Sequence, residues 1–219
     1  MSEMQPQASS PLLLPPMLCA PVEVYALISR QGGDARFDWS ARFDKRFKDS
    51  HRFAIADTRG RLELTVPIAK PETSRCGWDE IRISDHGQWW DVHRVALESA
   101  YGRTPYFEFY EDRLLPMLTA GVCERYPLLK DLAGAWDSWI RKALELPSSS
   151  AASRPSDSYA GPSDPAASHS AVPVSAPAAI GLPPYWQIRA DKLGFIPGLS
   201  VLDLIFNLGP EAVLYLDRL

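Results

Sequence analysis

The sequence lacks the features that would place it in several common classes of protein. Its three cysteines, Cys19, Cys76 and Cys123, lie far apart and form no CxxC pair, so neither a zinc site nor a disulfide framework is predicted. We therefore expect reduced thiols and a cytoplasmic location. No apolar run approaches the ~20 residues that a transmembrane helix needs, which predicts a chain that does not span a membrane.

Motifs of the major nucleotide-binding and hydrolase folds are absent as well. The chain contains no GxGxxG, GxxxxGK[ST], HExxH or GxSxG pattern, so a glycine-rich phosphate loop, zinc peptidase chemistry and an α/β-hydrolase nucleophile have no support. The 23 Lys and Arg against 27 Asp and Glu give a formal charge of −4. This acidic total argues against a dedicated nucleic-acid binder, and the sequence predicts neither a metal nor a cofactor.

Proline, serine and alanine are plentiful, and their distribution divides the chain. From Pro147 to Pro184 the sequence is mainly Ser, Ala and Pro, a composition that cannot bury enough apolar surface to offset its ordering entropy. We predict a main body at 1–146, a disordered tether at 147–184 and a C-terminal segment at 185–219. Because that last segment is too small to hold a core alone, it should pack on the body.

Hydrophobic periodicity predicts strands early in the chain and helices after them. Polar and apolar residues alternate most clearly at 61–68, and shorter strands are predicted at 11–14, 35–39, 53–56 and around Ile81 and Ile83. Helices are predicted at 21–30, 88–101, 107–117, 126–146 and in the C-terminal segment. The fold class is therefore α/β or α+β, with a mixed sheet in the N-terminal part and a helical C-terminal segment on the same domain.

The C-terminal segment carries the clearest local signals. Ser200 is predicted as a helix N-cap with Asp203 at the third helical position, which is a capping-box arrangement. The helix that follows has hardly any polar face, so it should be deeply buried. An aspartate inside such a helix, with Asn207 one turn later, needs buried hydrogen-bond partners.

Several segments resemble the WbqC-like protein family. The C-terminal segment carries the family-like runs YWQ at 185–187, GFIP at 194–197, LSVLDLIFN at 199–207 and GPE at 209–211. In the body, the resemblance rests on Trp89 with His93, ESAY at 98–101, TPYFEFY at 104–110, the strand at 62–67 and Lys45. The chain departs from the family at 14–17, where the Gln and Tyr of a Gln-Pro-x-Tyr-x-Pro loop are missing. It also departs at 48–52, where KDSHR replaces a basic Arg-Asn-Arg cluster.

The resemblance implies a role in the biosynthesis of bacterial O-antigen or a related surface polysaccharide. It implies the transfer of an acyl or aminoacyl group, glycine among them, onto a sugar. A sugar or nucleotide-sugar substrate is then expected, with proteins of polysaccharide biosynthesis as partners. The alternative is a non-catalytic accessory protein that holds a glycan precursor, which the two departures and the tether favour.

His93 is the predicted general base of such a transfer, because imidazole can take a proton from an attacking amine near neutral pH. Trp89 lies one turn earlier on the same predicted helix, where it could stack against a sugar. Asp203 would orient the imidazole. The alternatives are structural: a buried histidine bonded to a backbone carbonyl beside a core tryptophan, and an aspartate that caps a helix.

Lys45 and Arg52 are predicted to bind substrate. They belong to a basic run at 42–52 that could hold the pyrophosphate of a nucleotide-sugar or carrier lipid. Asp44 and Asp49 interrupt this run, which favours the alternative of a solvated, exposed face.

Tyr101 and Asn207 complete the predicted site, where they would shape the sugar pocket. The other histidines are given no role at this stage. His51 and His86 are predicted as surface or loop residues, and His169 falls in the predicted tether.

Overall fold

The computed structural model describes residues 11–71, 73, 75–148 and 181–219 of the chain. His169 and most of the predicted tether at 147–184 lie outside the described residues. The domain boundaries predicted there therefore stay a prediction.

The described residues form four short strands, with most of the helices after them in the chain. Strands β1 (Leu12–Leu14) and β2 (Ala35–Phe37) form a parallel pair joined by helix α1 (Val22–Arg30). Strands β3 (Arg52–Asp57) and β4 (Gly60–Thr65) form an antiparallel hairpin. The helices that follow are α2 (Trp89–Tyr101), α3 (Phe107–Leu114), α4 (Val122–Arg125), α5 (Leu129–Ala143), α6 (Ala190–Leu193), α7 (Val201–Leu208) and α8 (Glu211–Asp217).

The predicted α/β fold class is confirmed, although the strands form two separate sheets. The strand expected around Ile81 and Ile83 is reduced to isolated bridges, in which Ile83 pairs with Ile68 and Arg82 pairs with Leu128. Single-turn helices at Trp78–Glu80 and His86–Gln88 flank this stretch. They leave too few extended residues for a regular ladder to join the two sheets.

Two helices are shorter than predicted, and proline explains both. The helix expected at 107–117 ends as α3 and continues as a tight turn at Leu115–Met117, because Pro116 has no N–H for the α-helical ladder. The helix expected at 126–146 begins at Leu129, since Pro127 disfavours helical geometry at the residue before it. No helix in the described part of the chain has the length and hydropathy needed to cross a membrane.

Helix α7 lies in the centre of the core. Every residue from Val201 to Asn207 is buried, and the helix contacts β3, α1, α2, α3, α5 and α8. At its start, the Ser200 N–H donates to the Ala54 carbonyl over 2.8 Å and the Val201 N–H donates to the Ala20 carbonyl over 3.0 Å. The C-terminal segment therefore supplies the middle of the hydrophobic core.

A buried arginine fastens α5 to the N-terminal strand pair. Arg141 is 1% exposed, and its Nε donates to Asp137 Oδ2 over 2.8 Å. The Tyr25 hydroxyl donates to the other carboxylate oxygen of Asp137 over 2.8 Å. The remaining guanidinium nitrogens donate to the backbone carbonyls of Gly33, Ala35 and Pro147. One side chain thus closes the turn before β2 against the end of α5.

Candidate functional site

His93 and Trp89 share one face of α2, and both are buried. Their rings are 5.2 Å apart in an edge contact, and Trp89 Nε1 donates to the Ser84 carbonyl over 3.0 Å. His93 is 2% exposed, and its Nε2 donates to the Thr65 carbonyl over 3.1 Å, because a carbonyl oxygen can only accept. Nδ1 is buried and has no partner among the described residues.

The surroundings of His93 favour its structural interpretation. Burial lowers the pKa of His93 to about 4, against the opposing effect of the Thr65 carbonyl. His93 lines none of the five best-defined cavities in the described part of the chain. Its role as general base stays a prediction.

Acid should destabilise the fold through His93. Its pKa falls from 6.5 to about 4 on folding, so the stabilising effect of the neutral ring is fully present above pH 6.5 and is lost as the pH falls towards 4. The whole shift corresponds to about 3 kcal/mol of unfolding free energy.

Urea unfolding near pH 7.5 and near pH 4.5 measures this loss of stability. His93→Gln, whose amide can still donate to Thr65 but does not titrate, should show a smaller loss. His86→Gln removes an exposed histidine and serves as the control, so equal pH sensitivity in both variants would contradict the prediction.

His51 was predicted as a surface or loop residue; it lies in the turn before β3, and the structure corrects only its expected exposure. The residue is buried, because its ring lies beside Trp78 with centroids 6.2 Å apart and its carbonyl accepts the Val66 N–H over 2.8 Å. Burial, aided by the charges of Arg52 and Lys48, lowers the pKa of His51 to about 4. His86 is exposed, as predicted.

Asp203 is the centre of a buried hydrogen-bond network. The Tyr101 hydroxyl donates to Oδ1 over 2.9 Å, while the Tyr185 hydroxyl and Gln187 Nε2 donate to Oδ2 over 2.7 and 2.9 Å. The Tyr101 hydroxyl also accepts the Ala56 N–H over 3.2 Å. Burial raises the pKa of Asp203, although its hydrogen bonds oppose the shift. The carboxyl thus joins α7 to α2, to β3 and to the stretch at 185–187.

These contacts change two expectations about Asp203. The prediction of a capping box is wrong. Ser200 occupies the N-cap position without a side-chain capping bond, and the Asp203 carboxyl accepts from Tyr101 and Tyr185 instead. Asp203 also makes no hydrogen bond to His93 in the described part of the chain, since each bonds to other partners. Asn207 accepts the Ile188 N–H over 3.0 Å and donates to the Asp203 carbonyl over 2.7 Å. Tyr101, Asp203 and Asn207 therefore come together as structural groups.

A narrow pocket lies at the N-terminal end of α7, and one predicted site residue lines it. The cavity measures about 30 Å³, and its polar lining consists of Cys19, Asp49, Arg52, Arg61 and Ser200. Two of these groups have atoms without a partner among the described residues: Ser200 Oγ, on a side chain 1% exposed, and the buried Arg52 Nε. Unpaired buried donors and acceptors are uncommon in folded proteins, so the two atoms make this pocket a candidate binding site. Lys45 is exposed and does not line it.

One wall of the pocket is a backbone turn at Gly198 that is held in place by hydrogen bonds to two side chains. The Gly198 N–H donates to Glu23 Oε1 over 3.1 Å, and its carbonyl accepts from the Arg61 guanidinium over 2.7 Å. Its φ of +68° lies in the left-handed region that favours glycine. Glu23 Oε2 is a further buried atom without a partner in the described residues. The wall is therefore held by charged side chains from both α1 and β4.

Charges of both signs surround the pocket. Arg52 and Arg61 are cationic, and the first turn of α7 adds the positive end of a helix dipole. Burial raises the pKa of Asp49, partly offset by Arg61. Burial also raises the pKa of the Cys19 thiol. Hydrogen bonds from Ser200 and from the Leu202 N–H lower this pKa, but their effect is smaller than that of burial. The pocket thus combines cationic donors, a carboxyl group and a protonated thiol.

The sequence hypotheses missed most of this pocket. Arg61 was treated as the start of a strand, Ser200 as a cap and Cys19 as a structural thiol. Arg52 was predicted to bind substrate as part of a basic run, with a solvated face as the alternative, and Asp49 was noted only as a charge that interrupts this run. The sequence carries little signal for this pocket, because its lining comes from three segments that are distant in sequence: residue 19, residues 49–61 and residues 198–200. These segments meet only when α7 packs against the rest of the core. No cluster of three or more metal-ligating side chains occurs among the residues that the structure describes.

A family comparison covers the part of the chain that contains Asp49, Arg52, Arg61, His93 and Tyr101. The model of the WbqC-like protein family matches residues 43–159, more than half of the chain. The C-terminal runs that resemble the family lie beyond the matched residues. No curated protein and no solved structure matches the chain. Because this match covers more than half of the chain, the chain belongs to the WbqC-like protein family.

Proposed function

We propose that this protein transfers an acyl or aminoacyl group, such as glycine, onto a sugar in the biosynthesis of bacterial O-antigen or a related surface polysaccharide. The observation that carries the proposal is the pocket at Arg52, Arg61 and Asp49, which Ser200 also lines and in which the buried Arg52 Nε has no partner among the described residues. Family membership supports the choice of pathway.

The charge of the pocket supports an amino acid as the transferred group. Its cavity volume of about 30 Å³ lies far below the range of ~300–1,000 Å³ typical of drug-sized ligands, so it admits only a small polar group. A carboxyl or carbonyl oxygen fits against Arg52 and the start of α7, because guanidinium and helix N–H groups are strong donors to oxygen anions. An ammonium group fits beside Asp49. Charges of both signs in so small a space match a zwitterion better than a phosphate.

Asp49 is the side chain that could move the proton in such a transfer. The amine of the sugar attacks the carbonyl carbon of the donor, the new C–N bond forms, and the bond to the leaving group breaks. Asp49 accepts the proton from the amine and returns it to the leaving group. A carboxyl whose pKa is raised by burial is a better base than an exposed one, and a neighbouring guanidinium can stabilise the oxyanion.

Glycine binding tests the site. Titration calorimetry with glycine should give saturable binding to the wild type, and Arg52→Gln should weaken it about tenfold, the effect of about 1.4 kcal/mol. Arg59→Gln is the matched control, because Arg59 is exposed in the β3–β4 turn and does not line the pocket. Absence of glycine binding, or equal affinity in Arg52→Gln and wild type, would rule out this site.

Transfer itself is tested with a glycyl thioester as donor and a UDP-amino sugar as acceptor, followed by mass spectrometry. Asp49→Asn should weaken glycine binding, because the ammonium group loses its charged neighbour, and at saturating donor it should lose at least about 10²-fold in transfer rate, as expected for removal of a general base. An unchanged rate in Asp49→Asn would remove Asp49 from the mechanism.

A second candidate function is a non-catalytic protein that holds a glycan precursor. The burial of His93 away from the cavities favours it, because the predicted base has no access to a substrate. In that case the wild type would bind glycine or a sugar but give no product in the transfer assay.

A further inference from the structure

The exposed aromatic surface around Trp186 is a second feature that the core does not explain. Trp186 is 52% exposed, and it lines two neighbouring cavities that also share Leu208 and Glu211. Tyr106 lines one of these cavities and Tyr215 the other. An aromatic side chain left in water forfeits the stabilisation that burial of its large apolar surface would give, so an indole exposed beside two cavities is available to a ligand.

The backbone on both sides of Trp186 is fixed by buried hydrogen bonds. Tyr185 and Gln187 both donate to the Asp203 carboxyl, and the next residue, Ile188, donates its N–H to the Asn207 side chain. Gln187 also pairs with the backbone of Ile196 in both directions, over 3.0 and 2.9 Å. The indole is therefore presented on a rigid support, which lowers the entropy cost of binding.

The polar groups beside the indole suit a neutral, hydroxyl-rich ligand. Glu211 lines both cavities and Arg218 lines one of them, and neither makes an ion pair within the described ranges. One carboxylate and one guanidinium together carry no net charge, and each offers two parallel hydrogen-bonding positions. The C–H face of a pyranose ring carries partial positive charge that complements the negative face of an indole.

From these observations we propose that Trp186, Glu211 and Arg218 form a carbohydrate-binding surface, with the indole as a stacking platform for a pyranose ring. The inference rests on the proposed function in one respect, because it would give the acceptor glycan a place to bind. The surface lies at the C-terminal end of α7, and the pocket at Ser200 lies at its N-terminal end. Eight residues of helix separate the two ends by about 12 Å, so the surface and the pocket are different sites.

Sugar titrations test the surface with N-acetylglucosamine and its β1,4-linked disaccharide as probes. The wild type should bind the disaccharide more tightly than the monosaccharide, because the indole lines two neighbouring cavities. Trp186→Ala should weaken disaccharide binding about tenfold or more, and Trp186→Phe should recover part of the affinity. Phe109→Ala is the matched control, since it removes another exposed aromatic side chain, 67% exposed, from a different cavity.

Three outcomes would overturn the carbohydrate assignment. Neither probe binds the wild type, or Trp186→Ala binds as tightly as Phe109→Ala, or the surface is occupied by a second copy of the chain. The last would appear in analytical ultracentrifugation as a concentration-dependent dimer that Trp186→Ala abolishes. Glycine titration of the same variants separates this inference from the proposed function: Trp186→Ala should keep glycine affinity, and Arg52→Gln should keep sugar affinity.

Discussion

Replacing Asp203 with alanine should lower the free energy of unfolding by about 4 kcal/mol, because three buried donors lose their acceptor at once and each costs roughly 1–3 kcal/mol when unpaired. The donors are the hydroxyls of Tyr101 and Tyr185 and the amide of Gln187. Part of the cost is offset, since the variant no longer buries a carboxyl group. Urea denaturation measures the change, and Tm should fall by roughly 2–4 °C for each kcal/mol.

Two comparisons make the Asp203 result specific. Asp203→Asn should cost less than Asp203→Ala, because one accepting oxygen remains while the new amide group opposes one of the donors. Asp217→Ala removes an exposed aspartate at the end of α8 and should change stability by no more than about 0.5 kcal/mol. If Asp203→Ala is as stable as Asp217→Ala, the network does not hold the C-terminal segment on the body.

Replacing Arg141 with methionine should cost about 3–5 kcal/mol, which is the usual effect of breaking a buried ion pair. The Asp137 carboxylate would lose its charged partner, and three backbone carbonyls near the β1–β2 pair would lose their donors. Methionine has a similar length and no charge, so the change tests the interactions rather than the volume. Unfolding in urea at pH 7 measures the effect.

The neighbouring Lys142 supplies the matched control for Arg141. Lys142 is exposed on the same helix turn, so Lys142→Met should leave stability within about 0.5 kcal/mol of the wild type. The double variant Arg141→Met with Asp137→Leu should be more stable than Arg141→Met alone, because no buried carboxylate is left unpaired. A double variant that is less stable by the sum of the two single effects would contradict the ion-pair explanation.

Local sequence signals predicted the elements of this fold better than their pairing. The alternation at 61–68 and the run at 53–56 located the β3–β4 hairpin, whose two strands are joined by a turn at 58–59. A single mixed sheet did not follow from the same signals, because pairing between distant strands depends on contacts that sequence periodicity does not encode. The proline effects at 116 and 127 were visible in the sequence, but the periodicity continued across both.

The burial of Asp203 was predicted, whereas its partners were not. An aspartate in an apolar helix has to find hydrogen-bond donors, but periodicity does not indicate that they come from Tyr101, 102 residues earlier in the chain. His93 was assigned to catalysis from residue type and spacing, which cannot distinguish an accessible imidazole from a desolvated one. Most of the residues that line the pocket at Arg52 were not predicted either, since its walls come from three segments that only the folded chain brings together.

The central position of α7 has a consequence for how this protein is made. A ribosome releases the chain from its N-terminus, so α1, β3 and α2 emerge long before α7, the helix that contacts all three. Until residues 201–208 have left the exit tunnel, these elements expose the apolar faces that α7 later covers, and exposed surfaces of this kind promote aggregation. Folding of this protein is therefore completed only after the last helices are synthesised, and nascent chains that stall within 149–180 should be recovered bound to chaperones.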